Sequence, residues 1–265
     1  HYDLGNKFYT QWLDSSMTYS SAYFEKENDN LFDAQLNKYQ KIAESLNLNE
    51  NSEVLEIGCG WGGFSTYAAK NFKSKIDAIT ISKAQFEYAS NKIQKEGLGE
   101  KVSIKFKDYR DVDTQYSNIA SIEMFEAVGK QYWEKYFDVV KNSFIDSGKA
   151  ALQIITIDEK RSFNYQSQPD FIQQYIFPGG MLPTKKELLD INQKVGLDFS
   201  EIKSFGQSYA KTLNMWNNQF QNSWQDLLQL GFNKRFKRMW EFYLAYCETG
   251  FISKSTDVSH FLINK

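Results

Sequence analysis
Apolar residues recur at spacings of three and four across residues 32–47 (FDAQLNKYQKIAESLN), the period of an amphipathic helix with one buried side. A different rhythm follows. Val54, Leu55 and Ile57 make a short buried strand that runs straight into glycines. Residues 63–72 predict the next helix, 75–81 (KIDAITI) a second strand and 83–96 a second helix. Further strands are expected at 102–106, 117–124 and 149–157, with a helix at 131–144. Strand and helix alternate, so the expected class is α/β, a parallel sheet with helices on both faces. The alternation stops after residue 158. Residues 159–182 are rich in Gln, aromatics and Gly, and the turn signal FPGGMLP follows from residue 177. Helix resumes at 184–195 and strand at 197–204. Residues 210–250 read as two long aromatic-rich amphipathic helices, expected to cap the carboxyl edge of the sheet, and 256–263 as a last strand. Ligands of open α/β sheets bind at that edge.

A chain of 265 residues suffices for one large α/β domain, or one with a substantial insertion. The formal net charge of -2 provides no global basic field for nucleic acid. Cys59 and Cys247 are the only cysteines; they make neither a disulfide framework nor a metal-ligand spacing, which fits a reducing cytoplasm. No run of 18 apolar residues is present, so no transmembrane helix is expected. The first residue is His1 rather than Met, so the natural start is expected to lie elsewhere. Aromatics make up 16% of the chain. A core rich in large rings accounts for that, and so does a ring-lined pocket for an apolar chain or a cation.

The candidate chemistry begins at GCGWGG, residues 58–63, between the first strand and its helix. Glycines let a backbone adopt positive φ and approach a ligand closely. A tight βα turn without a ligand would use them too. The spacing is not that of a dinucleotide fingerprint. Glu56-Ile57-Gly58-Cys59-Gly60 resembles motif I of class I methyltransferases, whose loop backs onto the amino-acid part of the cofactor. The second strand ends in Thr80-Ile81-Ser82, without the acid that usually meets the ribose. Thr80 and Gln85 offer neutral hydrogen bonds instead, while Ser82 also suits a plain helix N-cap. Asp108, Tyr109 and Arg110 follow the third strand where an adenine would lie.

Longer segments carry a closer resemblance. HYDLGNKFY (1–9), LDSSMTYSSAYF (13–24), LEIGCGWGGF (55–64), KDYRD (107–111), IEMFEAVG (122–129), YIFPGGMLP (175–183), FGQSYAKTLNMW (205–216) and RMWEFYLAYCETGF (238–251) resemble the cyclopropane fatty acid synthases and mycolic acid cyclopropane synthases, in order and along the whole chain. The resemblance implies a Rossmann-like class I methyltransferase domain over 1–265, with a mostly parallel seven-stranded sheet. It implies a covering segment at 1–30, a lipid-binding insertion and helical cap at 159–182 and 205–255, and a further N-terminal domain ahead of this chain. The implied reaction adds the sulfonium methyl of S-adenosylmethionine to a double bond of an unsaturated phospholipid acyl chain. A carbocation forms, and loss of a proton from the new methyl closes a cyclopropane. That needs close aim, aromatic faces, exclusion of water and a base. In the family the base is a bound bicarbonate.

Carried over residue by residue, the implied cofactor shell is Tyr19, Ser20, Glu56 to Gly63 (Glu56, Ile57, Gly58, Cys59, Gly60, Trp61, Gly62, Gly63), Thr80, Ile81, Ser82, Gln85, Asp108, Tyr109, Arg110 and Glu123, with Tyr2 closing over it. The implied catalytic set is Glu126, Tyr209, Ser21, Gln153 and Cys247. Ser21 stands for a usual Cys, Ala127 for a usual His, and Ile155, with Gln153 close by, for another. His1 and His260 are the only histidines and lie outside the central motifs, so a histidine base is not expected. Two outcomes follow: bicarbonate held by Ser21, Gln153, Glu126 and Tyr209, or a methyl- or methylene-branched product with Glu126 or Glu123 as base. Cys247 also reads as a small buried helix residue. A small-molecule methyltransferase and a noncatalytic binder are the rivals. The implied setting is cytoplasmic, peripheral to the inner face of the membrane. A homodimer, the acyl chain and the head group are left open, and no metal is expected.

Overall fold
The computed structural model describes residues 4–265. Seven strands form one sheet: β1 (Glu53–Ile57), β2 (Lys75–Thr80), β3 (Val102–Phe106), β4 (Tyr116–Ile122), β5 (Phe144–Ile157), β6 (Asp198–Ser204) and β7 (Thr256–Asn264). Their order is β3-β2-β1-β4-β5-β7-β6. All are parallel except β7, which runs antiparallel to both β5 and β6. Strand order reverses between β1 and β4, opening a crevice at the carboxyl ends.

Helices α2 (Leu31–Ser45), α3 (Gly63–Phe72), α4 (Lys83–Lys95), α5 (Trp133–Asn142) and α7 (Lys185–Val195) occur where the hydrophobic period predicts them. Their ends follow local chemistry. Ser82 caps α4 by accepting the Gln85 N–H, and Thr184 and Glu187 form a capping box on α7. A short helix α1 (Asn6–Tyr9) lies in the N-terminal segment, which has no readable period.

Two stretches depart from expectation. Residues 159–182 carry a helix α6 (Glu159–Ser167) and a π-helical turn at Ile172–Ile176 before the glycine turn. The two long helices expected over 210–250 are three: α8 (Gly206–Asn222), α9 (Trp224–Gln229) and α10 (Lys234–Ile252). The first break falls at Ser223, whose hydroxyl donates to the Gln11 carbonyl at 2.5 Å. The second follows Gly231 at φ 94°, after which the Asn233 side chain caps α10.

Thr256, the first residue of β7, pairs with Ile157, the last of β5, so α10 is delivered to the carboxyl edge. There the cap and the N-terminal segment share one aromatic cluster, with Trp12, Trp216 and Trp240 fully buried. Separate apolar cores fill the two faces of the sheet. Among the described residues, no helix is long and apolar enough to cross a membrane.

Candidate active site
The loop after β1 is built by hydrogen bonds and unusual backbone. Gly58 and Cys59 both donate their N–H to the Ile79 carbonyl at 3.0 Å, tying the loop to the end of β2. Gly58, Gly60 and Gly62 adopt φ of 80°, 53° and 76°. A Cβ on Gly58 would lie 2.8 Å from Met124 Cγ, whereas one on Gly60 would meet nothing within 4 Å and would project into open space. Glu56 is buried and accepts a short hydrogen bond from the Ser65 hydroxyl on α3, fastening strand to helix. Burial pushes its carboxyl up to about 7 against that hydrogen bond.

Beside this loop lies a cavity of about 380 Å³. Every described residue of the expected cofactor shell lines it except Gly62, which instead precedes α3 in the left-handed conformation. Tyr2 lies outside the described residues. Thr80 and Gln85 hydrogen-bond each other at 2.9 Å on the wall. Ile81 is 71% exposed although apolar, and Tyr109, half-buried, rests on Tyr136. Asp108 accepts two hydrogen bonds from the Arg110 guanidinium. Met17 and Thr18, inside the resembling segment 13–24, also line the cavity, as does Tyr39, which carries no signal in the sequence.

The N-terminal segment closes one side. The Trp61 indole donates to Asn6 at 2.7 Å, and Asn6 donates to the Ala84 carbonyl at the start of α4. Thr18 and Tyr39 share a 2.6 Å hydrogen bond, and Tyr19 and Tyr243 one of 2.7 Å.

At the end of β4 the structure gathers the expected catalytic residues around a different centre. Glu123 Oε1 accepts from the Ser21 backbone N–H at 2.8 Å and from Gln153 Nε2 at 2.7 Å. Its Oε2 accepts from the Tyr209 hydroxyl at 2.7 Å. The Ser21 hydroxyl, expected to join this shell, points away and donates to the Ala22 carbonyl, so it is the backbone that contributes. Glu126, expected to hold an anion together with Ser21, Gln153 and Tyr209 or to act as base, lies outside the group. Its Oε1 accepts the Ile155 N–H at 2.6 Å, its Oε2 is sealed from solvent with no hydrogen-bond partner among the described residues, and its carbonyl takes the Met181 N–H of the glycine turn. Burial first, and the Glu123 charge second, push the Glu126 carboxyl up to about 8. Burial likewise raises Glu123, while Lys38, Tyr209, Ser21 and Gln153 pull it down.

Two further members lack any local sequence signal. His260, set aside from its place in the sequence, sits on β7 opposite Gln153, and its Nε2 is 2.9 Å from Gln153 Oε1. With Gln153 Nε2 donating to Glu123, His260 Nε2 carries the hydrogen of this bond. Burial pushes His260 down to about 3, so the ring is neutral. Lys38 is fully buried and donates to the Ser20 hydroxyl at 2.6 Å. Burial pushes it down to about 7 against the attraction of Glu123, Asp14 and Glu56. Cys247, on α10, lies outside the cavity wall against the aromatic cluster, and burial pushes its thiol up, which suits a packing residue better than a nucleophile.

The donors expected to hold bicarbonate are engaged within the chain. The Ser21 N–H, Gln153 and Tyr209 are already bonded to a carboxylate of the chain itself. An added anion would face that negative charge in a buried setting.

A family model described as mycolic acid cyclopropane synthetase matches residues 1–261. The chain is 38% identical to the tuberculostearic acid methyltransferase of Mycobacterium tuberculosis, over 97% of this chain and 62% of that protein. It is 37% identical to the cyclopropane-fatty-acyl-phospholipid synthase of Escherichia coli K12, over 95% of this chain and 63% of that protein. The chain thus spans somewhat less than two thirds of the length of these relatives. A crystal structure of the mycolic acid cyclopropane synthase CmaA1, complexed with SAH and CTAB, superposes with a TM-score of 0.92 at 26% identity, covering 100% of this chain and 96% of that one.

Proposed function
This chain belongs to the mycolic acid cyclopropane synthetase family, and from that premise we propose that it methylates a double bond in an unsaturated fatty-acyl chain of a phospholipid, using S-adenosylmethionine. The observation that carries the reading is one cavity lined both by the glycine loop after β1 and by the buried carboxylate of Glu123.

The cavity fits the cofactor. The open face of Gly60 accepts a close ligand, the exposed Ile81 and Tyr109 offer apolar surfaces to a purine, and Thr80 and Gln85 offer neutral hydrogen bonds to a ribose. When bound there, S-adenosylmethionine supplies a methyl group on a cationic sulfur that leaves as a thioether. An alkene is a poor nucleophile, so the protein's part is to aim it and keep water out. Tyr19 lines the cavity and packs on Trp216, giving the developing carbocation an aromatic flank. The alkene electron pair makes the new carbon–carbon bond, and a proton must then leave. Loss from the new methyl with ring closure gives the cyclopropane. The second reading is a methyl- or methylene-branched chain; the 38% identity to a tuberculostearic acid methyltransferase favours considering it.

Access to lipid is supported by one surface. Arg235, Arg238, Phe242 and Tyr246 follow one another along α10 at helical spacing and are all exposed. Phe171 packs edge-on to Phe242 at 4.6 Å and beside Tyr175, which is 62% exposed. Basic residues leading into aromatics suit contact with an anionic phospholipid surface. Methyl-labelled S-adenosylmethionine incubated with vesicles of unsaturated and of saturated phospholipid tests the function: label enters only the unsaturated acyl chains. Label in neither lipid, or equally in both, contradicts it.

A further inference from the structure
We propose that Glu123 is the built-in base of the reaction: its side-chain carboxylate occupies the position of a bound anion and takes the proton that the methylated acyl chain gives up. The proposal rests on the reading of the chain as an acyl-chain methyltransferase.

The backbone is the first argument. Glu123 directly follows β4 at φ 49°, in the left-handed region that a residue with a Cβ rarely adopts. Such a conformation is strained and persists where the surroundings demand it. Here the Glu123 N–H is held by the Gln153 carbonyl at 2.8 Å, and the side chain is turned into the cavity wall.

The donors are the second. Ser21 comes from the N-terminal segment, Gln153 from β5 and Tyr209 from α8. Three parts of the chain far apart in sequence converge on two oxygens, and all three groups donate. A carboxylic acid would need an acceptor for its own proton, whereas a carboxylate satisfies every partner. His260 fixes the Gln153 amide so that its nitrogen faces Glu123. Buried Lys38 nearby attracts the negative charge of Glu123. The arrangement is an anion-binding site whose anion is part of the protein.

The step balances without any added reactant. A C–H bond of the newly attached methyl breaks, and its proton joins a Glu123 oxygen. The electron pair of that bond becomes the carbon–carbon bond to the neighbouring cationic carbon, closing the three-membered ring. Glu123 ends as a carboxylic acid and returns its proton to solvent as the product leaves. After a hydride shift, the same proton loss leaves a methylene branch.

The test compares the parent chain with E123Q and E123G, glycine being free to hold this φ. Binding of ¹³C-labelled bicarbonate, followed by NMR, does not depend on catalysis. The parent shows no saturable binding and E123G, with the three donors released, binds the ion. In methyl transfer to unsaturated phospholipid, the parent rate is the same in carbonate-depleted and bicarbonate-supplemented buffer. E123Q slows by ~10²–10⁴-fold while still binding S-adenosylmethionine, and E123G regains rate only with bicarbonate. Saturable bicarbonate binding to the parent, a folded E123G that binds none, or an E123Q at full rate would each overturn the proposal. A parent chain that methylates no unsaturated lipid would instead defeat the functional reading, and the binding comparison would still decide whether Glu123 fills an anion site.

Discussion
Gly58 holds φ 80° against Met124, so a side chain there is strained twice over. Gly58→Ala carries a backbone cost of about 1–3 kcal/mol, and S-adenosylmethionine affinity should fall by roughly tenfold or more by calorimetry. Unchanged affinity would mean that the loop does not hold the cofactor. Glu126 makes a different prediction. Its carboxyl is raised from 4.5 to about 8 by burial, so the folded chain holds this proton more tightly than the unfolded one. Its stabilising contribution is full below about 4.5 and is lost as pH rises to about 8. Glu126→Gln removes that loss, so its melting temperature relative to the parent should climb across this interval. A pH-independent difference in Tm would contradict the assignment. Ser21 and Tyr209 are legible because each sits in a segment that resembles the family, and Gln153 because it lies close to Ile155, where the family has a histidine. Lys38 and His260 are not: a lysine on an amphipathic helix and a histidine on a late strand become site residues only through tertiary packing. The centrality of Glu123 depends on a backbone turn that alternation of apolar and polar residues does not encode. One signal was available, an acid three residues before Glu126 at the exit of a buried strand.

Helices and strands of the sheet half were readable because each buries one face at a fixed period. The cap was less so. Its aromatic stripe continues past Ser223 and Gly231, and the breaks depend on a hydroxyl bonded to the Gln11 carbonyl and on one positive φ. What the stripe does is plain from the packing. Trp216 is fully buried between Trp12, Tyr19 and Tyr209, with ring centroids 5.8, 5.2 and 6.1 Å away. It joins α8 to the N-terminal segment and stands behind two residues of the site. Trp216→Ala should destabilise the chain by about 3–5 kcal/mol, read as a lower urea midpoint. A loss below about 1 kcal/mol would show that cap and N-terminal segment are not one cooperative unit.

At the scale of the whole molecule, the proposed lipid contact is a basic and aromatic face on α10. Net charge is -2, yet α10 begins with four basic residues among Lys234–Arg238 and continues into exposed Phe242 and Tyr246. Phe242 is 52% exposed, so Phe242→Ser should leave stability within about 0.5 kcal/mol. Binding to anionic vesicles should weaken, and KM for vesicle substrate should rise with kcat unchanged. Equal binding by parent and variant in a flotation assay would remove this face from the account. No periodicity could mark that surface, because its aromatics come from the π-helical turn and α10 together.

The most direct test is the mass of the acyl chains. Unsaturated phospholipid vesicles are incubated with the chain and methyl-labelled S-adenosylmethionine, and the fatty acids are then released and weighed. Acyl chains heavier by one labelled carbon unit are expected, with the double bond consumed in a ring or moved into a branch. Label recovered in the head group, in a soluble acceptor, or only in unreacted cofactor would contradict it.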